Sequence, residues 1–215
     1  MAFANGGKIV TDGLILSLDA GDKNSYPGSG TIWRDLSGNG NNGTLTNGPT
    51  FNSANGGVIL FDGVDDYVLG NIQNATTYTI NIWVYNLSNT TAGGSVISTA
   101  ISPPSPSTFI QIGGDYNPWQ FNNSVSNVKA TINQWVMLTA IQTATTQQLY
   151  INGVAVINTI SNVATANLGT TYNIGRRTDG VYLNTYVAIS QIYNRIFSTT
   201  EILQNYNAQK SRFGL

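Results

Sequence analysis

Three carboxylates crowd into the short segment Phe61-Asp-Gly-Val-Asp-Asp-Tyr67. Asp62, Asp65 and Asp66 are the one cluster in which a general acid and a general base could be paired, as cleavage of a glycosidic bond requires. The same residues around a glycine are equally what a tight turn uses to cap its own backbone. Elsewhere the chemistry is sparse: the chain has a single glutamate, Glu201, and neither histidine nor cysteine. That composition removes Ser-His-Asp and Cys-His nucleophiles, the usual zinc ligand sets and any disulfide framework. The expectation is a protein that is not an enzyme.

Metal chemistry has more to work with. In Asp35-Leu-Ser-Gly-Asn-Gly-Asn-Asn-Gly43, the side chains of Asp35, Ser37, Asn39 and Asn41 alternate with other residues and offer hard oxygen donors, the ligand type of calcium. The spacing is that of the first half of an EF-hand loop, but Thr46 stands where the closing bidentate glutamate would be. A second carboxylate would have to come from Asp65 or Asp66, which makes Asp35, Asn39, Asn41, Asp65 and Asp66 the candidate metal ligands. The alternative is that Asp and Asn in this loop bond only to their own backbone.

A sugar presents an apolar ring face and a rim of hydroxyls, so a sugar site needs aromatic rings beside amides and charges. Asp115-Tyr-Asn-Pro-Trp119 fits, with Asn122 and Asn123 following, and Arg176, Arg177 and Asp179 lie in another expected loop. The candidate ligand-binding set is therefore Asp115, Tyr116, Asn117, Trp119, Arg176, Arg177 and Asp179. The competing reading for Trp119 is that it begins a strand and faces the core, where a large aromatic contributes most.

Strands must position these loops. Leu14, Leu16 and Leu18 alternate with Ile15 and Ser17; Ile80, Ile82 and Val84 alternate with Asn81, Trp83 and Tyr85; Val136, Leu138 and Ala140 repeat the period. Such alternation places one face of each strand in a core. Trp83 and Trp135 are read as core residues. Many short strands with no long helical pattern between them predict two packed antiparallel sheets. Asn152-Gly153, between Leu-Tyr-Ile and Val-Ala-Val, fits a type I′ hairpin turn. Only the end of the chain reads as helix, over roughly 198 to 209. Ser198 and Glu201 form a capping box, Phe197 and Ile202 are placed as a hydrophobic staple, and Lys210 and Arg212 suit the negative end of the helix dipole. The Pro-rich segment Ser102–Ser107 reads as an exposed loop.

The sequence resembles the laminin G-like, concanavalin A-like jelly roll from about Gly13 to Phe213. The resemblance rests on the Asp35–Gly43 and Phe61–Val68 segments, on Tyr78-Thr-Ile-Asn-Ile-Trp-Val84, Gln134-Trp-Val-Met-Leu-Thr139, Leu149-Tyr-Ile-Asn-Gly-Val154 and Tyr172-Asn-Ile-Gly175, and on the closing Ile192-Tyr-Asn-Arg195, Ser198-x-x-Glu201 and Asn205-Tyr-Asn207. It implies an all-β fold, a two-sheet antiparallel jelly-roll sandwich with a short C-terminal helix, over 13–215 behind an N-terminal arm of 1–12. One departure is Leu183-Asn-Thr185, where the family usually carries Phe-x-Gly. Many members bind calcium near the rim of the sandwich, whereas enzymes of this fold carry Glu-x-Asp-x-Glu or a near variant, which is missing here. The opening Ile9-Val-Thr-Asp-Gly-Leu14 and the close Asn205-Tyr-Asn-Ala-x-Lys-x-Arg-Phe-Gly214 look like those of domains in tailed-bacteriophage structural proteins.

That resemblance implies a virion surface protein, a head or tail decoration or fibre, whose lectin-like domain binds host-surface glycans. The alternative is a structural decoration protein that binds only other virion subunits; a glycan hydrolase is the third. Composition is compatible with the first two. Charged residues make up 9% of the chain at a net charge of −1, while Asn (27) and Thr (25) are abundant. Nothing in this offers an electrostatic footprint for nucleic acid or anionic lipid. Asn and Thr either form the many turns of a β protein or face carbohydrate. The opening residues lack a charged region followed by an apolar one, and no run approaches the ~18 apolar residues of a spanning helix, so synthesis in the host cytoplasm without a signal peptide is expected. Virion surface proteins are generally symmetric assemblies, and a homo-oligomer such as a trimer is expected.

Overall fold

The computed structural model describes residues 7–87, 94–100, 108–112, 118–122, 124–161 and 167–215. Among them the strands are β1 (Leu14–Asp19), β2 (Ile32–Trp33), β3 (Gly43–Thr46), β4 (Thr50–Asn52), β5 (Val58–Asp62), β6 (Tyr67–Asn71), β7 (Tyr78–Asn86), β8 (Ser95–Ala100), β9 (Thr108–Ile112), β10 (Pro118–Phe121), β11 (Ser124–Lys129), β12 (Trp135–Gln142), β13 (Thr146–Ile151), β14 (Val154–Ser161), β15 (Thr171–Ile174) and β16 (Asn184–Tyr193). One eight-stranded sheet runs β14-β13-β12-β7-β16-β5-β4, with β1 also paired to β16; the other runs β11-β10-β9-β8-β15-β6-β3-β2. Every pairing is antiparallel, and the two sheets form a sandwich. The fold is all-β with one C-terminal helix, α1 (Thr199–Gln209), as expected.

The inter-sheet core contains Leu16, Leu18, Trp33, Phe61, Val68, Ile80, Ile82, Val84, Val136, Leu138, Ala140, Tyr172 and Ile174. The alternation on β7 and β12 is thus confirmed, but the opposite face of β7 is not solvated. Trp83, Trp135, Met137 and Tyr193 form a second core with Ile202 of α1 and Phe213 of the 3-10 turn after it. Phe213 stacks on Trp83 at 4.2 Å between centroids, and Tyr206 lies on the same indole at 5.9 Å. The indole N–H of Trp83 donates to Gln209 at 2.8 Å. Both tryptophans are core residues, in a layer that the strand period alone does not show.

The expected alternation fails on β1. A β-bulge between Leu14 and Leu16 slips the register against β16, so Ile15 joins Leu16 and Leu18 in the inter-sheet core while Leu14 packs against the second. At the other end of the chain the capping box forms: the backbone N–H of Ser198 donates to Glu201 Oε2 at 2.8 Å, and that of Glu201 to Ser198 Oγ at 3.3 Å. Arg212 does not serve the helix dipole; it pairs with Asp19 and donates to the carbonyl of Asn55. The Asn152-Gly153 turn has both central residues at positive φ, 52° and 83°, and joins Ile151 to its partner Val154. At the departure from the family pattern, Leu183 is fully buried and its N–H donates to the carbonyl of Gly175, which holds the local turn.

Part of the expected N-terminal arm is fastened to the domain. Val10 donates to Asn205 Oδ1 at 2.7 Å and its carbonyl accepts from the Tyr193 hydroxyl, Gln204 donates to the carbonyl of Lys8, and Asp12 pairs with Arg195 at 2.8 Å. The Ser102–Ser107 segment, expected as an exposed loop, lies outside the described residues. Among those described, no helix is long and apolar enough to cross a membrane.

Candidate functional site

The Asp35 loop is closed by its own hydrogen bonds. Asp35 Oδ1 accepts from the N–H groups of Ser17 (2.8 Å) and Ser37 (2.9 Å), and Oδ2 from Ser37 Oγ (2.7 Å) and the N–H of Asn41 (3.0 Å). Asn39 and Asn41 turn their amide nitrogens to the carbonyls of Leu14 and Ile15 on β1. Gly38 and Gly40, at φ 89° and 73°, supply the left-handed backbone this path needs. Asp35 is the staple of the loop, and it does not join Asp65 and Asp66. The carboxylates that come together are Asp62, Asp65 and Asp66, whose oxygens lie within 4.8 Å of one another.

Those three occupy the turn from β5 into β6. Gly63 sits at φ 80°, and a Cβ there would come within 3.0 Å of the Asn184 backbone, so the turn is pressed against β16. Asp62 caps the turn by accepting from the N–H of Val64 at 2.8 Å. Asp66 reaches back so that its Oδ2 accepts from the N–H of Asp62 at 3.2 Å. Asp66 is only 4% exposed, and its Oδ1 has no hydrogen-bond partner. Burial raises its pKa above the ordinary value, the N–H of Asp62 opposes this, and the charges of Asp62 and Asp65 raise it further. Clustered hard oxygens with one buried lone pair unclaimed fit a divalent cation such as calcium or magnesium.

Beside this turn lies the Arg176–Asp179 loop. Asp62 pairs with Asn184 across β5 and β16, and Arg176 forms a bridge with Tyr182. Tyr67, the residue after Asp66, faces Tyr182 at 6.4 Å between ring centroids and carries the Arg176 guanidinium 4.0 Å above its ring. Arg176 Nη2 donates to Asn173 at 3.0 Å. Arg177 grips Asp179 through two bonds of 2.7 and 2.8 Å, which raises the arginine pKa and lowers that of the aspartate. Its Nη1 also reaches Gln111 Oε1 at 3.4 Å, and Gln111 donates to Gln120 at 2.7 Å. Two candidate groups some hundred residues apart in sequence, Asp65 with Asp66 and Arg176 with Arg177 and Asp179, therefore share one rim of the sandwich.

The other expected sugar loop is not joined to it. Asp115, Tyr116 and Asn117 lie outside the described residues, and Trp119 on β10 is 1% exposed within the inter-sheet core. Its ring faces are covered by core side chains, so it offers no platform to a ligand. The rim instead takes its aromatics from Tyr67 and Tyr182, which sequence reasoning passed over. Tyr67 was marked only by following the acidic cluster, and Tyr182 only by closing the turn at Gly180.

The family model described as the concanavalin A-like lectin/glucanases superfamily matches residues 61–203, from the first residue of the acidic turn segment into α1. No curated protein sequence matches significantly. Among solved structures, Trypanosoma rangeli sialidase is similar at 13% identity and a TM-score of 0.66, covering 97% of this chain and 36% of the sialidase. The binding domain of botulinum neurotoxin serotype D is similar at 17% identity and a TM-score of 0.66, over 93% of this chain and 53% of that one. The receptor binding domain of the C/D mosaic botulinum neurotoxin gives 16% identity and 0.68, over 93% and 52%. At these identities the likeness is one of fold, and this chain spans about a third of the sialidase and about half of the toxin domains.

Proposed function

This chain belongs to the concanavalin A-like lectin/glucanase superfamily, and we propose that it is a non-catalytic glycan-binding domain whose ligand sits on the rim formed by Tyr67, Tyr182 and Arg176–Asp179. The observation that carries this reading is the convergence there of two half-buried tyrosines, two arginines and side-chain amides. Aromatic faces suit the apolar side of a sugar ring, and fixed amides and charges suit its hydroxyls. Asp62, Asp65 and Asp66 are assigned to a calcium ion that firms the turn feeding Tyr67, with Asp66 Oδ1 as the ligand atom that lacks any other partner.

Two features support binding without hydrolysis. Glu201, the single glutamate, is held by Arg195 at 2.6 Å and by the helix cap, away from the rim. In the acidic turn, Asp62 and Asp66 both accept from the turn's own backbone, so neither is presented as an acid-base pair across an open cleft. The setting proposed is the surface of a tailed-phage virion, supported by the resemblance of the Ile9–Leu14 and Asn205–Gly214 segments to phage structural proteins. There the domain would stand as a homo-oligomer.

A glycan-array screen in calcium and again in chelator tests this. Selective binding that weakens in chelator is the expected result. Absence of binding in both would contradict it and favour a decoration protein that contacts only other virion subunits, to be checked by assembly onto purified capsids. Release of reducing sugar would contradict the non-catalytic assignment.

A further inference from the structure

Resting on the glycan-binding reading, we infer that the rim is one end of a longer track, and that this track takes an internal stretch of a linear polysaccharide rather than a single terminal sugar. The track follows the chain out of the rim. Tyr182, Asn184 and Tyr186 are half-buried, while Leu183, Thr185 and Val187 are fully buried. The two-residue period therefore turns Tyr182, Asn184 and Tyr186 away from the core, and from the first to the last the extended chain spans up to ~13 Å. That is longer than one sugar ring.

From Tyr186 the row continues sideways, just past the part of this sheet face that Tyr206 and Phe213 cover at Trp83. Tyr186 of β16 stands opposite Leu60 of β5 and Tyr85 of β7, and Tyr85 stands opposite Trp135 of β12. Tyr85 lies 6.1 Å from Tyr186 and 5.4 Å from Trp135 between ring centroids, at interplanar angles of 67° and 55°. Phe213, 4.6 Å from Trp135, closes that end. Among the described residues, the Asn184 amide and the hydroxyls of Tyr182, Tyr186 and Tyr85 make no hydrogen bond to protein, and none of them is sealed from water. Rings with open hydroxyls and an amide between them match the alternation of apolar ring faces and hydroxyls along a sugar chain. Rings set at such angles form a stepped surface, which suits one soluble chain and not the flat face of a crystalline polysaccharide.

Ladders of chain length decide it. Malto-, cello-, laminari- and chito-oligosaccharides from monomer to hexamer are titrated calorimetrically into the whole chain in calcium, together with stepwise-shortened fragments of any other linear glycan that the array retains. In a series that binds, the tetramer should bind about tenfold more tightly than the monomer, the gain expected from one or two further ring contacts. In the wild type, the backbone amide shifts of Tyr85, Asn184 and Tyr186 should move with the tetramer and not with the monomer. Tyr186→Ala should flatten the ladder, and Tyr186→Phe, which keeps the ring, should preserve it. A flat ladder, a rising one that leaves Tyr85, Asn184 and Tyr186 unmoved, or retention of branched terminal epitopes alone overturns the inference and leaves the glycan-binding reading intact. Absence of binding by every ladder and by every sugar on the array defeats both.

Discussion

The guanidinium of Arg176 lies 4.0 Å over the ring of Tyr67. This contact joins the acidic turn that ends β5 to the loop that follows β15, and through Tyr182 it fixes the spacing of two rings at one rim. A cation over a tyrosine face is worth about 0.5–1 kcal/mol where it is exposed and more where water is excluded. The contact both orders the loop and covers one face of Tyr67.

Replacing Tyr67 with alanine should therefore raise the Kd for a bound oligosaccharide about tenfold, since both a ring face and the seat of Arg176 are lost. Tyr67→Phe keeps the ring and should stay within about twofold, given that the phenolic oxygen is not what seats Arg176. Calorimetric titration of the two variants separates them, and far-UV circular dichroism checks that the half-buried site tolerates both.

Asp66→Asn should act with opposite signs in two conditions. In chelator the variant loses a buried, repelled charge while its remaining oxygen can still accept from Asp62, so Tm should rise by roughly 2–4 °C, the size of a ~1 kcal/mol gain in a domain of this length. In calcium the wild type should gain stability and the variant should not. Differential scanning calorimetry with and without calcium measures both.

Acid should expose two carboxylates of opposite behaviour. Glu201, hydrogen-bonded to Arg195 and capped at Ser198, is held at about 2, so it stabilises the fold above its ordinary value of 4.5 and that contribution is lost as pH falls from there toward 2. Asp66 is raised above its ordinary 3.8, so between that value and its folded one the native state holds the extra proton and stability falls as pH rises. Urea midpoints between about pH 5 and about pH 2 should show Glu201→Gln flattening the acid loss and Asp66→Asn abolishing the rise in stability on first acidification.

Phe213→Ala should be severe for a residue so near the chain end. Its ring stacks on Trp83 at 4.2 Å and meets Trp135 at 4.6 Å, and both indoles would be opened to water. A loss of about 3–5 kcal/mol is expected, with a red shift of tryptophan emission in the folded state. Chemical denaturation followed by fluorescence reports both.

The strands and helix were legible because their signals are local. Two-residue alternation on β7 and β12, the Asn152-Gly153 turn and the Ser198–Glu201 box each carry their reason within a few residues. The second core was hidden, because Asn81, Trp83 and Tyr85 look the same whether that face meets water or a helix more than a hundred residues later. The bulge at Leu14–Leu16 was hidden for the same reason, since it is set by the register against β16. At the candidate site, the sequence carries the donor types but not which of them meet in space. Asp35 and Asp65 share donor chemistry, yet only the fold shows that Asp35 staples its loop to β1 and stands outside the cluster of Asp62, Asp65 and Asp66. Trp119 could have been platform or core, and its burial assigns it to the core.

Mapping a bound sugar onto the chain decides whether the rim is the binding site. Backbone amide shifts should be followed while the best neutral oligosaccharide from the array is titrated in calcium. Perturbations should gather at 62–67, 173–184, Gln111 and Gln120, with saturation transfer from the rings of Tyr67 and Tyr182. Perturbations confined to α1, or to the edge where β11 meets β14, with the rim unmoved, would contradict it.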